Sequence, residues 1–369
     1  MNNKNKIRVA ITHGDTNGIG YELIFKTFEE PAMLELCTPI IYGSPKVATY
    51  HRNALGIEAN FTIIKDINEV QPDRINFIPV FDEEIKVELG APTEESGNAG
   101  LVAIDRALED YRAGGFDVLV TAPLNNNENF QFSGQSRYIE DHLCAEVPSI
   151  SVLVNEKLRI ALATRNLPLN QVSASLSVER ITKSGKLLYN SIMRDFRISN
   201  PRLAILALNP KAGDNGLLGS EEQEIITPAI EALVGEGIQA FGPYPADKFF
   251  GDSYWDQFDG ILAMYYEQGL TPFRALTVEG SVNYLAGLPL ICTAPEITDN
   301  LEIAGKNIAD PISMRHAIYL AIDTFRHRLE YDEPMRNPLQ KLYKERRDDS
   351  EKVRFSIPKR RDNREGSND

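Results

Sequence analysis

Short runs of β-branched and aliphatic residues alternate with longer amphipathic segments along almost the whole chain. The runs have the length of buried strands, and the segments between them place apolar residues at three- and four-residue spacing, which is typical of helices. Because parallel neighbours need a crossover connection, this alternation predicts a mostly parallel sheet covered by helices on both faces. We predict strands at 6–12, 38–43, 75–80, 116–123, 149–155, 158–164, 201–209, 259–265 and 289–293. We predict helices at 20–34, 98–114, 178–196, 220–237 and 311–329.

Size, charge and cysteine content narrow the class of protein. The chain has 369 residues, of which 42% are hydrophobic, so it can bury a large core and has room for two domains. Its net charge of −14 repels phosphate backbones and anionic lipids, which argues against nucleic acid or a membrane as a partner. Cys37, Cys144 and Cys292 are far apart and form no CxxC pair, so neither a disulfide framework nor a cysteine zinc site is indicated. No segment reads as a signal peptide or a membrane span, and we expect a cytoplasmic protein.

The composition changes near the C-terminus. Residues 339–369 are rich in both basic and acidic side chains and poor in apolar ones. Such a segment cannot bury enough apolar surface to offset the entropy of ordering, so we expect a disordered tail. The basic cluster at 359–361 could contact an acidic partner, but a solvated tail is the simpler interpretation.

Histidine is missing from the segments that otherwise look like an active site. Several Gly- and Pro-rich loops follow predicted strands, which is where α/β enzymes place their chemistry. The five histidines lie elsewhere, and we interpret them as structural. His13, at the end of the first strand, is the sole one that could meet a ligand. The turn at 13–20 allows a tight strand-to-helix connection, but its glycine spacing is not that of a dinucleotide fingerprint.

Seven motifs in chain order carry a family resemblance. They are GDTNGIG (14–20), VTAPLN (120–125), LPL (167–169), LNPKAGDNGLLG (208–219), GPYPAD (242–247), LAMYYEQG (262–269) and VNYLAGLP (282–289). With them the chain resembles, over residues 6–340, the PdxA family of NAD-dependent, metal-using 4-hydroxythreonine-4-phosphate dehydrogenases of pyridoxal phosphate biosynthesis. The resemblance implies an α/β fold like that of isocitrate and isopropylmalate dehydrogenases, with two α/β/α domains and a central cleft. It implies a first domain of residues 1–135 plus 300–338 and a second domain of residues 136–299 that carries a dimer interface.

The metal-binding positions depart from the family pattern. Three histidines hold the family's divalent metal, which is zinc, magnesium or cobalt, and the matching positions here are Asn166, Lys211 and Tyr266. An amide, an ammonium and a phenol lack the imidazole nitrogen that transition metals prefer, and Lys211 would bring positive charge toward a cation. We therefore expect this chain not to hold the metal.

The substrate positions follow the same trend. By resemblance they are Gln135, Ser136, Arg274, Asn283 and Cys292, of which Asn283 alone is unchanged and Arg274 keeps its charge. A thiol at Cys292 cannot make the two-point contact that an arginine makes with phosphate.

Two further substitutions lie in loops. A lysine of the family falls near Asn126, and the late loop at 294–300 lacks the family's histidine and glycine. Because that loop helps to hold the nicotinamide in the family, its change argues against NAD binding as well. We assign no cofactor-binding residue.

Three functional interpretations remain open. In the first, the chain keeps the scaffold but has lost the parent oxidation and decarboxylation, and acts as a homodimer or as a heterodimer with an active relative. In the second, it is a metal-independent enzyme on a small phosphorylated or carboxylated metabolite, with Lys211 and Arg274 supplying charge and Asp247, Glu267 or Tyr266 moving protons. In the third, the family activity persists, and Asp247 and Glu267 hold Mg²⁺ through oxygen. Asp247 and Lys211 are the candidate catalytic residues.

Overall fold

The computed structural model describes residues 6–81, 84–124, 134–144, 147–277, 279–297 and 301–337. The described part contains one continuous sheet of twelve strands in the order β3-β4-β2-β1-β5-β12-β11-β6-β7-β10-β8-β9. The strands are β1 (Ile7–Thr12), β2 (Cys37–Gly43), β3 (Phe61–Ile63), β4 (Ile75–Pro79), β5 (Val118–Thr121), β6 (Ile150–Val154), β7 (Arg159–Leu162), β8 (Arg202–Leu206), β9 (Gln239–Tyr244), β10 (Gly260–Ala263), β11 (Val282–Ala286) and β12 (Ile291–Pro295).

Eleven α-helices accompany this sheet within the described residues. They are α1 (Gly20–Phe28), α2 (Pro31–Leu36), α3 (Pro45–Leu55), α4 (Glu94–Arg112), α5 (Gln135–Cys144), α6 (Leu169–Ser175), α7 (Val178–Asp195), α8 (Thr227–Gly235), α9 (Ala246–Gly251), α10 (Tyr266–Leu276) and α11 (Ile312–Arg336). None of the helices so described is both long and apolar enough to cross a membrane. The predicted α/β fold with a central sheet is confirmed.

The sheet is parallel except at its middle. Strand β11 runs antiparallel to both of its neighbours, β12 and β6, and β6 runs antiparallel to β7. The other pairs are parallel, and the strands β1, β2 and β5 among them are almost completely buried. Strands β12 and β5 pair although they belong to different predicted domains, so the proposed boundaries at 135/136 and 299/300 stay a prediction.

The sequence does not predict three of the strands, β3, β9 and β11. Strand β3 has three partly exposed residues at one edge of the sheet, and β9 lies at the other edge and contains Pro243, which lacks a ladder donor. Strand β11 is short and buried, and its sequence shows no alternation of apolar and polar residues. The predicted tail at 339–369 lies outside the described residues.

A buried polar network fixes the middle of the sheet to two helices. Arg328 of α11 donates from Nε to Asp195 Oδ1 of α7 at 2.7 Å and from Nη2 to the Tyr284 hydroxyl of β11 at 2.9 Å. Tyr284 in turn donates to Asp195 Oδ2 at 2.7 Å. We call these three residues the joint network. Because each partner comes from a different element, the network holds α7, β11 and α11 in register.

The turn after β1 is packed as part of the core. His13 is fully buried and stacks on Tyr21 with ring centroids 5.3 Å apart. A Cβ at Gly20 would lie 1.9 Å from the His13 carbonyl oxygen, so this position accepts only glycine. His13 is therefore a packed core residue, in line with the structural interpretation of its position.

Candidate functional site

A cavity of about 1000 Å³ opens beside the middle of the sheet. Its walls come from the segment after β5, the start of α5, strand β6, the segment after β7, the first turns of α7, the start of α10 and strands β11 and β12. Four of the five predicted substrate positions, Gln135, Ser136, Asn283 and Cys292, line it. The sequence thus places these side chains together, although they are up to about 150 residues apart in the chain.

The substrate positions in the cavity are polar but uncharged. The Gln135 side-chain amide donates to the Ala122 carbonyl oxygen at 3.0 Å, which fixes its orientation at the start of α5. Burial raises the pKa of the Cys292 thiol to about 12, so the thiol is neutral at physiological pH. Neither side chain offers charge to an anionic substrate. The family-equivalent Asn126 lies outside the described residues.

The predicted metal positions are not all at the cavity. Asn166 and Tyr266 line it, whereas Lys211 is exposed and is not among the lining residues. Asn166 has a positive φ of 50°, and its amide nitrogen would lie 3.2 Å from a Cβ at Gly134, so these two residues lie against each other. Asp247 of α9 and Glu267 of α10 are likewise exposed and do not line the cavity.

Lys211 belongs to a left-handed stretch of backbone. Residues 211–215 have φ values of 53°, 53°, 79°, 44° and 57°, and of these five only residue 213 is a glycine. Each non-glycine residue in this region costs about 1–2 kcal/mol, so neighbouring groups must hold the loop. Glu222 does so, because its carboxylate accepts from the backbone NH groups of Leu208 and Asn209 at 2.8 and 2.7 Å.

The guanidinium of Arg274 already has a carboxylate partner within the chain. Its Nη2 lies 2.7 Å from Glu296 Oε1, and Glu296 lines the cavity while Arg274 does not. Burial raises the pKa of the nearby Tyr266 phenol, and the negative charge of Glu296 raises it further. Tyr266 is therefore protonated at neutral pH.

A second ion pair forms the wall beside Asn166. Arg165 donates from Nη2 to Glu140 Oε1 at 2.7 Å and from Nη1 to the Ser151 hydroxyl at 2.6 Å. Glu140 also accepts a short hydrogen bond from Ser149. Sequence reasoning overlooked both members of this pair. Arg165 stood next to Asn166 in the motif and could have been noticed, but its partner on α5 could not.

The comparisons with known proteins agree with this geometry. Residues 35–321 match the family model described as "Pyridoxal phosphate biosynthetic protein PdxA". The chain is 48% identical over 356 residues to a 4-hydroxythreonine-4-phosphate dehydrogenase of Bacteroides thetaiotaomicron, covering 95% of this chain and 98% of that protein. It belongs to the PdxA family.

Other members of the PdxA family extend the match. A 4-hydroxythreonine-4-phosphate dehydrogenase of Sulfurihydrogenibium is 36% identical, covering 86% of this chain and 98% of that protein. The crystal structure of the Klebsiella pneumoniae dehydrogenase of the same name superposes with a TM-score of 0.74 at 29% identity, covering 88% of this chain and 99% of that chain. The family predicted from the motifs is confirmed.

The residues at the three PdxA metal positions do not fit a divalent transition metal. Asn166 offers a neutral amide, Tyr266 a protonated phenol, and Lys211 an exposed cation away from the cavity. Within the described ranges, no group of three or more His, Cys, Asp or Glu side chains is placed to hold a metal ion. The donor chemistry thus differs from the nitrogen and carboxylate sets that such metals select.

The segment that the PdxA resemblance assigns to the nicotinamide is only partly described. Ala294, Pro295, Glu296 and Ile297 line the cavity, and residues 298–300 lie outside the described residues. The interpretation that the changed loop argues against NAD binding therefore stays a prediction for this chain.

Proposed function

We propose that this chain is a PdxA-family protein that keeps the ligand cleft but has lost, or strongly impaired, the metal-dependent oxidation of 4-hydroxythreonine 4-phosphate. The observation that carries the proposal is that Asn166, Lys211 and Tyr266 occupy the three positions that the resemblance assigns to the metal ligands, and that Lys211 is exposed and does not line the cavity. A metal in such a site supplies Lewis-acid stabilisation worth several kcal/mol. Without a ligand set that fits it, the rate falls by many orders of magnitude.

What remains in the cleft supports binding rather than oxidation. Gln135, Ser136 and Asn283 present hydrogen-bonding groups to the cavity, and Cys292 presents a neutral thiol. No described side chain in this set takes up a proton easily at neutral pH. These residues orient a polar ligand and keep water from part of its surface, and their chemistry supports no further step.

The retained dehydrogenase is the second candidate, because the Bacteroides thetaiotaomicron relative that bears this name is 48% identical. That candidate needs substitute oxygen ligands, and Asp247 and Glu267 are exposed and do not line the cavity. The metal-independent enzyme has less support still. Lys211 does not line the cavity, and Arg274 is already paired with Glu296.

A direct assay separates the two leading candidates. Purified protein is supplied with 4-hydroxythreonine 4-phosphate, NAD⁺ and Zn²⁺, Mg²⁺ or Co²⁺ in turn, and NADH is followed at 340 nm beside the Bacteroides relative. We expect a rate at least a thousandfold below that of the relative and no stoichiometric metal by mass spectrometry. A rate within tenfold of the relative, or one metal ion per chain, would show that the family activity is retained.

Histidines at the three positions provide a gain-of-binding control. We expect the Asn166→His, Lys211→His, Tyr266→His triple variant to bind zinc more tightly than the wild type, because imidazole nitrogen then replaces amide, ammonium and phenol. The readout is zinc affinity by competition with a chelator. A triple variant with unchanged zinc affinity would show that the backbone no longer brings the three positions together.

We also propose that the chain forms a homodimer. Leu169 is 71% exposed and Leu217 is 80% exposed, and both lie in motif segments that include metal positions. A dimer interface over these segments would remove both side chains from water. Light scattering after size exclusion tests this, and a monomer that dimerises only with the Bacteroides relative would instead support the heterodimer.

A further inference from the structure

The carboxylate of Glu296 lies between Arg274 and the cavity. Arg274 comes from the last turn of α10, and its guanidinium reaches the Glu296 carboxylate at 2.7 Å. The Glu296 side chain is 13% exposed and lines the cavity, whereas that of Arg274 is 40% exposed and does not. Glu296 is therefore part of the cavity wall at this end, and it pairs with a guanidinium that is outside the wall and partly open to solvent.

The backbone of Glu296 is fixed, which limits how far its carboxylate can move. Its NH donates to the Ser281 carbonyl oxygen at 2.9 Å, directly beyond the antiparallel pairing of β11 and β12. A tethered carboxylate has an effective concentration beside Arg274 of at least the order of millimolar. An anion in solution must outcompete this internal partner before it reaches the guanidinium.

Carboxylate and phosphate use the same face of a guanidinium. Both can accept two parallel N–H···O bonds, and the Glu296 carboxylate, which contacts Nη2, competes with a phosphate for that donor. The negative charge of Glu296 also repels a dianion from the adjoining cavity wall. We propose that Glu296 is an internal counter-ion that excludes phosphate from Arg274, so that this end of the cavity takes a neutral or cationic group such as a hydroxyl or an amine.

The pair of Arg165 and Glu140 shows the same arrangement at another wall of the cavity. Arg165 lies 2.7 Å from Glu140, and both line the cavity. Two arginines beside one ligand cavity are thus neutralised from within the chain. Here we take the cavity to be the ligand site, so this proposal rests on the proposed function.

The test removes the charge of Glu296 and measures binding of inorganic phosphate. Isothermal titration calorimetry at pH 7.5 is performed in chelator, without NAD⁺, with chloride holding the ionic strength constant. We expect Glu296→Gln to bind phosphate at least tenfold more tightly than the wild type. Adding Arg274→Met to Glu296→Gln removes the gain, and Arg274→Met alone leaves wild-type binding unchanged. Phosphate bound elsewhere in the cavity, for example at Arg180 or Lys183, cancels in this comparison.

Glu279→Gln is the matched control, because Glu279 is exposed on the connection between α10 and β11 and its loss changes the net charge equally. We expect it to bind phosphate as the wild type does. A folded Glu296→Gln variant without the gain overturns the proposal, as does Arg274-dependent binding in the wild type. If Glu296→Gln is not recovered, Glu296→Ser replaces it with the same expectations. The experiment uses neither metal nor NAD⁺, so its result does not depend on the oxidation reaction. The counter-ion proposal can fail while the proposed loss of oxidation holds, and the loss of oxidation can fail while the counter-ion proposal holds.

Discussion

The joint network and the pair at Arg274 use the same chemistry at different depths. The side chains of Arg328 and Asp195 are 7% and 2% exposed, and those of Arg274 and Glu296 are 40% and 13% exposed. Both arginines lie 2.7 Å from their carboxylates. The two pairs differ in how many further hydrogen-bond acceptors each guanidinium has. Arg328 also donates to the carbonyl oxygens of Leu288 and Pro289, whereas Arg274 has the single partner named above among the described residues.

Depth decides which pair can exchange its partner. A buried pair left without one member carries an uncompensated charge in a poorly solvated site, which costs several kcal/mol. A pair at a cavity wall is hydrated when it opens, so its opening costs little. We therefore regard the joint network as a contact that the scaffold needs and the Arg274–Glu296 pair as a contact that the fold can lose at little cost.

The largest expected effect on stability comes from a change in the joint network. Arg328→Met removes the cation that pairs with buried Asp195, together with the donor to Asp195 Oδ1 and to two carbonyl oxygens, and we expect it to lower the free energy of unfolding by about 3–5 kcal/mol. Urea denaturation followed by circular dichroism measures the loss. Arg197→Met is the control, because Arg197 lies 3.9 Å from Glu330 in an exposed pair, and we expect a change within about 0.5 kcal/mol. Equal effects in the two variants would remove the distinction between buried and exposed pairs.

The second largest expected effect comes from His13, a titratable residue that is buried in the scaffold. Burial lowers the pKa of His13 to about 3, so below the unfolded value of 6.5 the unfolded chain binds a proton that the folded chain does not. Acid therefore favours unfolding between pH 6.5 and 3. From pH 7 to 5 this group alone accounts for a loss of about 2 kcal/mol. The lowered pKa of His51, also caused by burial, acts in the same direction.

Replacing His13 isolates this contribution. We expect His13→Leu to flatten the dependence of the unfolding free energy on pH between 7 and 5, measured by urea denaturation at fixed pH values. Ile11→Val, a destabilising change in the same strand without a titratable group, should keep the wild-type dependence. An unchanged pH dependence in His13→Leu would mean that other groups account for the acid sensitivity.

The scaffold was easier to predict from the sequence than the site. Strand β1 follows from a short apolar run that is buried on both faces, and helix α7 follows from buried residues at three- and four-residue spacing. The three positions Gln135, Asn283 and Cys292, which the resemblance assigns to the substrate, line one cavity, and their role stays a prediction. The ion pairs at the cavity could not be predicted from the sequence. Arg165 and Glu140, for example, are 25 residues apart and meet only when α5 folds against the end of β7.

Neighbours in a motif can also face different ways. Lys211 lies within a family motif, yet the left-handed backbone at 211–215 leaves it exposed and away from the cavity. Glu296 was noticed only as part of a changed loop, and its role depends on a contact that crosses the β11–β12 hairpin. Side-chain direction and long-range pairing are set by tertiary structure, which periodicity does not encode.

The smallest expected effect completes the comparison at the cavity. Arg274→Met removes a cation that is 40% exposed, and Glu296 then gains water where the guanidinium was. We expect the free energy of unfolding to change by less than about 1 kcal/mol in urea denaturation. Glu279→Gln provides the baseline for an exposed single-charge change. A loss as large as that of Arg328→Met would mean that the fold needs the Arg274 contact. Glu296 would then be a structural partner of Arg274 rather than an internal counter-ion at the ligand site.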